Sequence, residues 1–117
     1  MKRLFSATKN SLRGIAYGVR TEPAIREEAI VFVIALPAGF FVAPNLVWYA
    51  AMIGVLLLLL AIEFLNTAIE KLSDHVTPMH HPEIGMIKDF GSAAVFFGLA
   101  LSGLVWLAAI AVRSGLI

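Results

Sequence analysis

Residues 46–62, LVWYAAMIGVLLLLLAI, contain no charged residue, and the run ends directly on Glu63. An apolar run of seventeen residues reaches about 26 Å as a helix, close to the roughly 30 Å of a bilayer's hydrocarbon core. Two further runs accompany it. Residues 29–43, AIVFVIALPAGFFVA, are uncharged but reach only about 22 Å. Starting that helix at Ala24 brings it to about 30 Å, with Arg26, Glu27 and Glu28 as a charged collar in its first turns. Pro37 and Gly39 would weaken a helix in water but are tolerated in a membrane span. The third run is 91–112, GSAAVFFGLALSGLVWLAAIAV. Pro44-Asn45 between the first two runs leaves room only for a tight turn.

Composition agrees with the runs. The 117 residues are 60% hydrophobic and 15% charged, against about 45–50% and 25% in soluble domains. A soluble chain this small has too little interior for that much apolar surface. The absence of cysteine excludes disulfides, thiolate metal sites and a cysteine nucleophile. A net charge of only +1 argues against a nucleic-acid binder. The expectation is an all-α membrane protein forming a single integral domain over residues 1–117. It comprises a surface helix over 1–22 and spans over about 24–43, 46–74 and 85–112.

The first 22 residues interleave Leu4, Phe5, Leu12, Ile15 and Val19 with Lys2, Arg3, Lys9, Arg13 and Arg20. That pattern fits an amphipathic helix lying on an anionic membrane surface. A cleavable signal segment is the alternative, but charges crowd the next span and no small-residue cleavage motif stands out. Six of the nine Lys and Arg residues lie in 1–28, and Lys71 and Lys88 lie between the second and third spans. The positive-inside rule therefore puts the N-terminus in the cytoplasm and, with three spans, the C-terminus outside. Trp48, Tyr49 and Trp106 stand near span ends, where an interfacial aromatic belt belongs.

The chemistry concentrates where the second span ends, in Glu63-Phe-Leu-Asn66-Thr-Ala-Ile-Glu70-Lys71-Leu-Ser-Asp74. At 100° per residue, Glu63, Glu70 and Asp74 fall within about 40° of one another and Asn66 about 60° to one side. A polar helix end in the headgroups would account for Lys71 and Asp74, but not for Glu63 at the edge of hydrocarbon. Acidic groups there are costly and mark sites, and stacked anions at a helix C-terminus also oppose its dipole. A divalent cation or a basic ligand group would relieve both. Glu63 and Glu70 stand about 10 Å apart along the axis, too far to share one Mg²⁺ with ligands at about 2.1 Å. One could act as base and the other as metal ligand, with a second carboxylate coming from Glu22, Glu27 or Glu28.

Lys88-Asp89-Phe-Gly91-Ser92 is expected to open the third membrane helix, with Lys88 beside exposed amides that suit a phosphate. An ordinary snorkelling lysine is the plainer alternative. His75, His80 and His81 read as a polar loop rather than a zinc site.

Glu63-Phe-Leu-Asn66-Thr-Ala-Ile-Glu70 followed by Lys88-Asp89-Phe-Gly-Ser-Ala-Ala-Val95 resembles the paired signature of the prokaryotic diacylglycerol kinase family, with Phe64 separating Glu63 from the Leu-Asn pair. Glu22-Pro-Ala-Ile-Arg26-Glu27-Glu28 resembles the family's charged opening of the first span, so the likeness covers nearly the whole chain. The resemblance implies a homotrimer of three-span subunits in the bacterial inner membrane. Its activity would be transfer of the ATP γ-phosphoryl group to diacylglycerol, with Mg²⁺ as cofactor. It implies Glu63 as general base supported by Asn66, and Glu22 and Glu70 as Mg²⁺ ligands. Arg3, His81, Lys88 and Asp89 would lie toward the nucleotide. Ala24, Arg26, Glu28, Ser92 and Trp106 would serve the lipid side. Two departures bear on the nucleotide: Asn10 stands where an aromatic residue is common, and the loop Thr77-Pro-Met-His-His-Pro82 is rich in proline and histidine.

Three other readings compete. The related undecaprenol kinases share the fold, and Gly91-Ser92-Ala93 favours the diacylglycerol branch. A small ion-coupled transporter would use Glu63, but the polar residues cluster at one membrane end. A helper whose polar groups only mediate assembly would tolerate Glu63→Ala.

Overall fold

The computed structural model describes residues 1–117, and they form four helices and no strand. They are α1 (Lys2–Thr21), α2 (Pro23–Val42), α3 (Leu46–Val76) and α4 (Pro82–Arg113). Each boundary has a local cause. Glu22 is extended between α1 and α2, and Pro23 opens α2, where its fixed φ suits a first helical position and its missing N–H costs nothing. Asn45 caps α3, its Oδ1 accepting from the Trp48 amide at 3.0 Å. His81 caps α4, its Nδ1 accepting from the Glu83 amide at 3.2 Å, and Pro82 follows as the first helical residue.

The start of α4 differs from the sequence expectation. Lys88 does not sit at the helix N-terminus but almost two turns inside α4, because His81, Pro82 and Glu83 already form a complete initiation signal. The free amides lie near Glu83, so any phosphate role of Lys88 rests on its charge and not on neighbouring helix-end amides.

α3 and α4 pair along most of their lengths, and α2 packs on α3. Both pairs are antiparallel, as three cross-contacts on α3–α4 establish: Trp106 Nε1 donates to the Met52 carbonyl at 3.1 Å, Gly98 faces Leu59 and Gly91 faces Asn66. On α2–α3 the Tyr49 hydroxyl donates to the Leu36 carbonyl at 2.7 Å. Tyr49 is thus half-buried in the hairpin rather than a free member of an aromatic belt.

Only 13 of 117 residues are buried, and large apolar side chains such as Phe40, Leu58, Phe97 and Leu107 lie open. So much contiguous apolar surface must be covered by lipid or by other helices. α3 and α4 are long and apolar enough to cross a membrane. At 31 and 32 residues they are about 46–48 Å long, well beyond the roughly 30 Å core. The polar C-terminal turns of α3 and the first turns of α4 therefore extend past the apolar stretch as a helical hairpin. α2 is as apolar over the rest of its length but carries Arg26, Glu27 and Glu28 in its opening turns.

Candidate functional site

The base of that hairpin gathers the polar residues. Glu63 is 6% exposed and Asn66 8%, both on the α3 stripe, with Leu59 and Ser73, that is covered by its neighbours. Asn66 Nδ2 donates to Glu70 Oε1 at 2.9 Å, one turn on, so the buried amide orients an exposed carboxylate. Its Oδ1 is buried without a hydrogen-bond partner and lies where a Cβ on Gly91 would be. Glycine at that position is a requirement of close approach between α3 and α4.

Glu28 reaches the same region from α2. Its Oε2 is buried with no hydrogen-bond partner, and its carboxylate feels the charge of Glu63, which in turn feels that of Glu70. Like charges from two helices therefore neighbour one another in turn, Glu28 against Glu63 and Glu63 against Glu70. Such an array is costly unless a cation or a proton-sharing substrate meets it.

Glu22 stands at the extended joint between α1 and α2. It accepts from the Thr21 hydroxyl at 3.3 Å and pairs with Lys71 of α3 at 3.1 Å. Arg26 turns back onto α1, donating from Nε to the Val19 carbonyl at 3.0 Å and from Nη2 to the Arg20 carbonyl at 2.7 Å. Those carbonyls are left over at the helix C-terminus, where a cation is also favoured by the dipole. Gly18 closes the joint from the other side. A Cβ there would stand 2.7 Å from the Phe64 ring and 3.2 Å from Ile25 Cδ1. Phe64, which sequence marks only as an interruption between Glu63 and Leu65, is the residue on which α1 rests.

At the tip, Lys88 pairs with Asp74 across the hairpin at 2.5 Å. Lys88, His80, His81 and Asp74 line a common cavity of about 290 Å³, which brings together two of the expected nucleotide residues. Ser92 and Asp89 are exposed on α4, and Ala24 is exposed on α2.

Two expected residues lie apart from the carboxylates within one chain. Arg3 is exposed at the free end of α1, about 27 Å of helix from the α1–α2 joint. Trp106 binds the Met52 carbonyl, eleven residues or about 16 Å along α3 from Glu63. It lines an apolar cavity of about 470 Å³ with Val31, Leu56, Leu59 and Leu99. No three acidic or imidazole side chains converge as a ready-made cation cage.

Gly18 and Phe64 carry no site signal in the sequence, Lys71 reads only as a headgroup-side charge, and Gly91 stands out only within the Gly91-Ser92-Ala93 motif. Lys71 carried the best available signal, being a lone cation beside Glu70 on an otherwise acidic segment.

Comparison with known proteins bears on this arrangement directly. A model of the prokaryotic diacylglycerol kinase family matches residues 9–110. A diacylglycerol kinase of Haemophilus influenzae is 36% identical over 106 residues, covering 91% of this chain and 90% of the relative. One of Pseudomonas aeruginosa is 38% identical over 106 residues, covering 91% and 86%. One of Escherichia coli K12 is 27% identical over 104 residues, covering 89% and 85%. The buried Glu63, the Asn66–Glu70 pair and the Gly91 approach all lie inside the matched region, and the chain belongs to the prokaryotic diacylglycerol kinase family.

Proposed function

We infer that this protein is an ATP-dependent lipid kinase of the membrane, transferring the γ-phosphoryl group to the hydroxyl of diacylglycerol to form phosphatidic acid. The observation that carries the site reading is the buried Glu63 carboxylate at the mouth of the hairpin, beside an oriented Asn66–Glu70 pair. Phosphoryl transfer asks a protein mainly for positioning and charge neutralisation. A site where an apolar groove meets a polar hairpin receives lipid laterally and nucleotide from water.

In this reading Glu63 takes the proton from the lipid hydroxyl as that oxygen attacks the γ-phosphorus and the bond to the β,γ-bridging oxygen breaks, releasing ADP. Asn66 holds Glu70 in place. Lys88 meets phosphate charge, with Asp89, His81 and Arg3 toward the nucleotide. Glu28, Ala24, Arg26, Ser92 and the groove ending at Trp106 serve the lipid. Arg26 does so indirectly, since its guanidinium is committed to the α1 carbonyls.

The donor set fits Mg²⁺. Glu70 has one oxygen free of Asn66, and Glu22 offers a carboxylate held only by exposed groups. Magnesium is ordinarily held by one or two carboxylates together with substrate phosphates and waters rather than by a protein cage. Bound with ATP, it would neutralise phosphate charge and orient the transferred group. Glu22 and Glu70 are the residues that would hold it.

The assembly proposed is a homotrimer of three-span subunits in the bacterial inner membrane, N-terminus in the cytoplasm and C-terminus outside. Two features support it: the extensive open apolar faces of α2, α3 and α4, and the distance of Arg3 from its own chain's carboxylates, which a neighbouring subunit's helix would make good.

The test is transfer of labelled phosphate from MgATP to diacylglycerol by the purified protein in mixed micelles, with undecaprenol in parallel and Glu70→Gln as control. Transfer to diacylglycerol that collapses in the variant is the expected result. Transfer to undecaprenol alone would change the acceptor. Transfer to neither lipid, or full activity in Glu70→Gln, would overturn the reading.

A further inference from the structure

The two ion pairs in the molecule have one property in common. Each joins a residue assigned above to the MgATP site with a residue of α3 that has no assigned role. Lys71 pairs with Glu22 at 3.1 Å, and Asp74 pairs with Lys88 at 2.5 Å. In each pair the α3 member is the exposed one, with Lys71 and Asp74 side chains 65% and 62% exposed against 21% for Glu22 and 38% for Lys88. The signs match the incoming ligand: an ammonium stands on the carboxylate that would take a divalent cation, and a carboxylate stands on the ammonium that would take phosphate.

We propose that Lys71 and Asp74 are stand-ins for Mg²⁺ and phosphate in the nucleotide-free enzyme, and that MgATP binds by partner exchange, displacing Lys71 from Glu22 and Asp74 from Lys88. The proposal rests on the reading that Glu22 faces the metal and Lys88 the phosphates. Three arguments support it. Exposed ion pairs are weak and solvent-screened, so a divalent cation and a polyphosphate outcompete them readily. The displaced residues are not stranded, because positions three apart on a helix are neighbours and of opposite sign here, so Lys71 and Asp74 can pair with each other. Without the stand-ins, the empty site would leave Glu22 and Lys88 each without a counter-charge, so the pairs hold Glu22 and Lys88 in place until ligand arrives. Lys71 and Asp74 are thus positioning residues that compete with the ligand they prepare for.

The experiment is calorimetric binding of a non-hydrolysable ATP analogue with Mg²⁺ to the full-length protein in detergent, with kinetics in parallel. The variants are Lys71→Met and Asp74→Asn, alone and together. Both positions are exposed, and a thermal melt confirms that each variant is folded. Each single variant should tighten binding by about two- to fivefold, the range of an exposed ion pair, and lower the KM for MgATP with kcat retained. The double variant should tighten it further. Unchanged or weaker binding in the singles overturns the proposal. Glu22→Gln and Lys88→Met separate this failure from failure of the underlying reading. If these two lose MgATP affinity while the stand-in variants gain none, the site stands and the exchange is wrong. If they bind MgATP like the unmodified protein, the site assignment itself is wrong.

Discussion

The Oδ1 of Asn66 occupies the space that a Cβ on Gly91 would need, while its Nδ2 holds Glu70 Oε1 at 2.9 Å. One side chain thereby couples the packing of α4 on α3 to the orientation of a candidate metal ligand. Gly91→Ala should push Asn66 off Glu70. Overpacking of this kind costs about 1–3 kcal/mol, and the effect on turnover should exceed the effect on stability because Glu70 loses its support. Melting in detergent and the KM for MgATP, measured on the same preparation, check this. An alanine variant with unchanged KM would show that the Asn66–Glu70 contact is dispensable.

Glu63 is buried and lies among like charges. Glu63→Gln preserves its shape and removes a repulsive charge, so stability should hold or rise. Loss of a general base reduces rates by about 10²–10⁴-fold. Turnover should fall by that order with MgATP binding intact. Comparable kcat in the variant would transfer the base role elsewhere, with Glu28 the nearest alternative on α2.

α1 is held near its C-terminal end, where Gly18 is buried and a Cβ would have no room against the Phe64 ring. Gly18→Val should lift α1 from α3 and expose the α1–α2 joint to protease. Phe64→Leu, which shortens the obstructing ring, should restore part of the protection in the double variant. If limited proteolysis reports the two substitutions as independent, the Gly18–Phe64 contact is not what seats the helix.

Arg26 donates to two carbonyls at the C-terminus of α1. Arg26→Gln should loosen the joint at a cost of about 1 kcal/mol for an exposed capping interaction. The expected signature is faster amide exchange in the last turn of α1, with α3 and α4 unaffected. Exchange that rises uniformly along the chain would argue for a global rather than a capping role.

Trp106 ties α4 to α3 about 16 Å from Glu63. Trp106→Phe removes the hydrogen bond to the Met52 carbonyl but keeps the apolar ring. The KM for the lipid should change severalfold while the KM for MgATP does not. The opposite split would place Trp106 in the nucleotide machinery through the assembly.

The segments that carry the fold were legible one at a time. The uncharged run 46–62, Pro44-Asn45 and the amphipathic start each signal helix or turn locally, and helices α1, α2 and α3 break at Glu22 and at Ala43–Asn45. α4 begins at Pro82, three residues before the expected 85, because His81-Pro82-Glu83 is itself an initiation signal and Lys88-Asp89 falls inside the helix. For the site, helical periodicity alone placed Glu63, Asn66, Glu70 and Asp74 on one side of a helix, since that depends only on 3.6 residues per turn.

By itself, then, the sequence determined that this chain is helical, suited to a membrane, and acidic where its second apolar run ends. Hydrophobicity and helical period are local properties, read without knowing what lies opposite. Tertiary structure decided which of those carboxylates are buried, that Gly91 must be glycine, that Phe64 seats α1, and that Lys71 and Asp74 answer Glu22 and Lys88. Burial on α3, the Gly91 requirement and the Asp74–Lys88 pair depend on the register at which α3 and α4 meet, set by the summed fit of Gly98 on Leu59, Gly91 on Asn66 and Trp106 on Met52, contacts between residues 25 to 54 positions apart in the chain, while Phe64 and Lys71 depend on how the α1–α2 joint seats against α3.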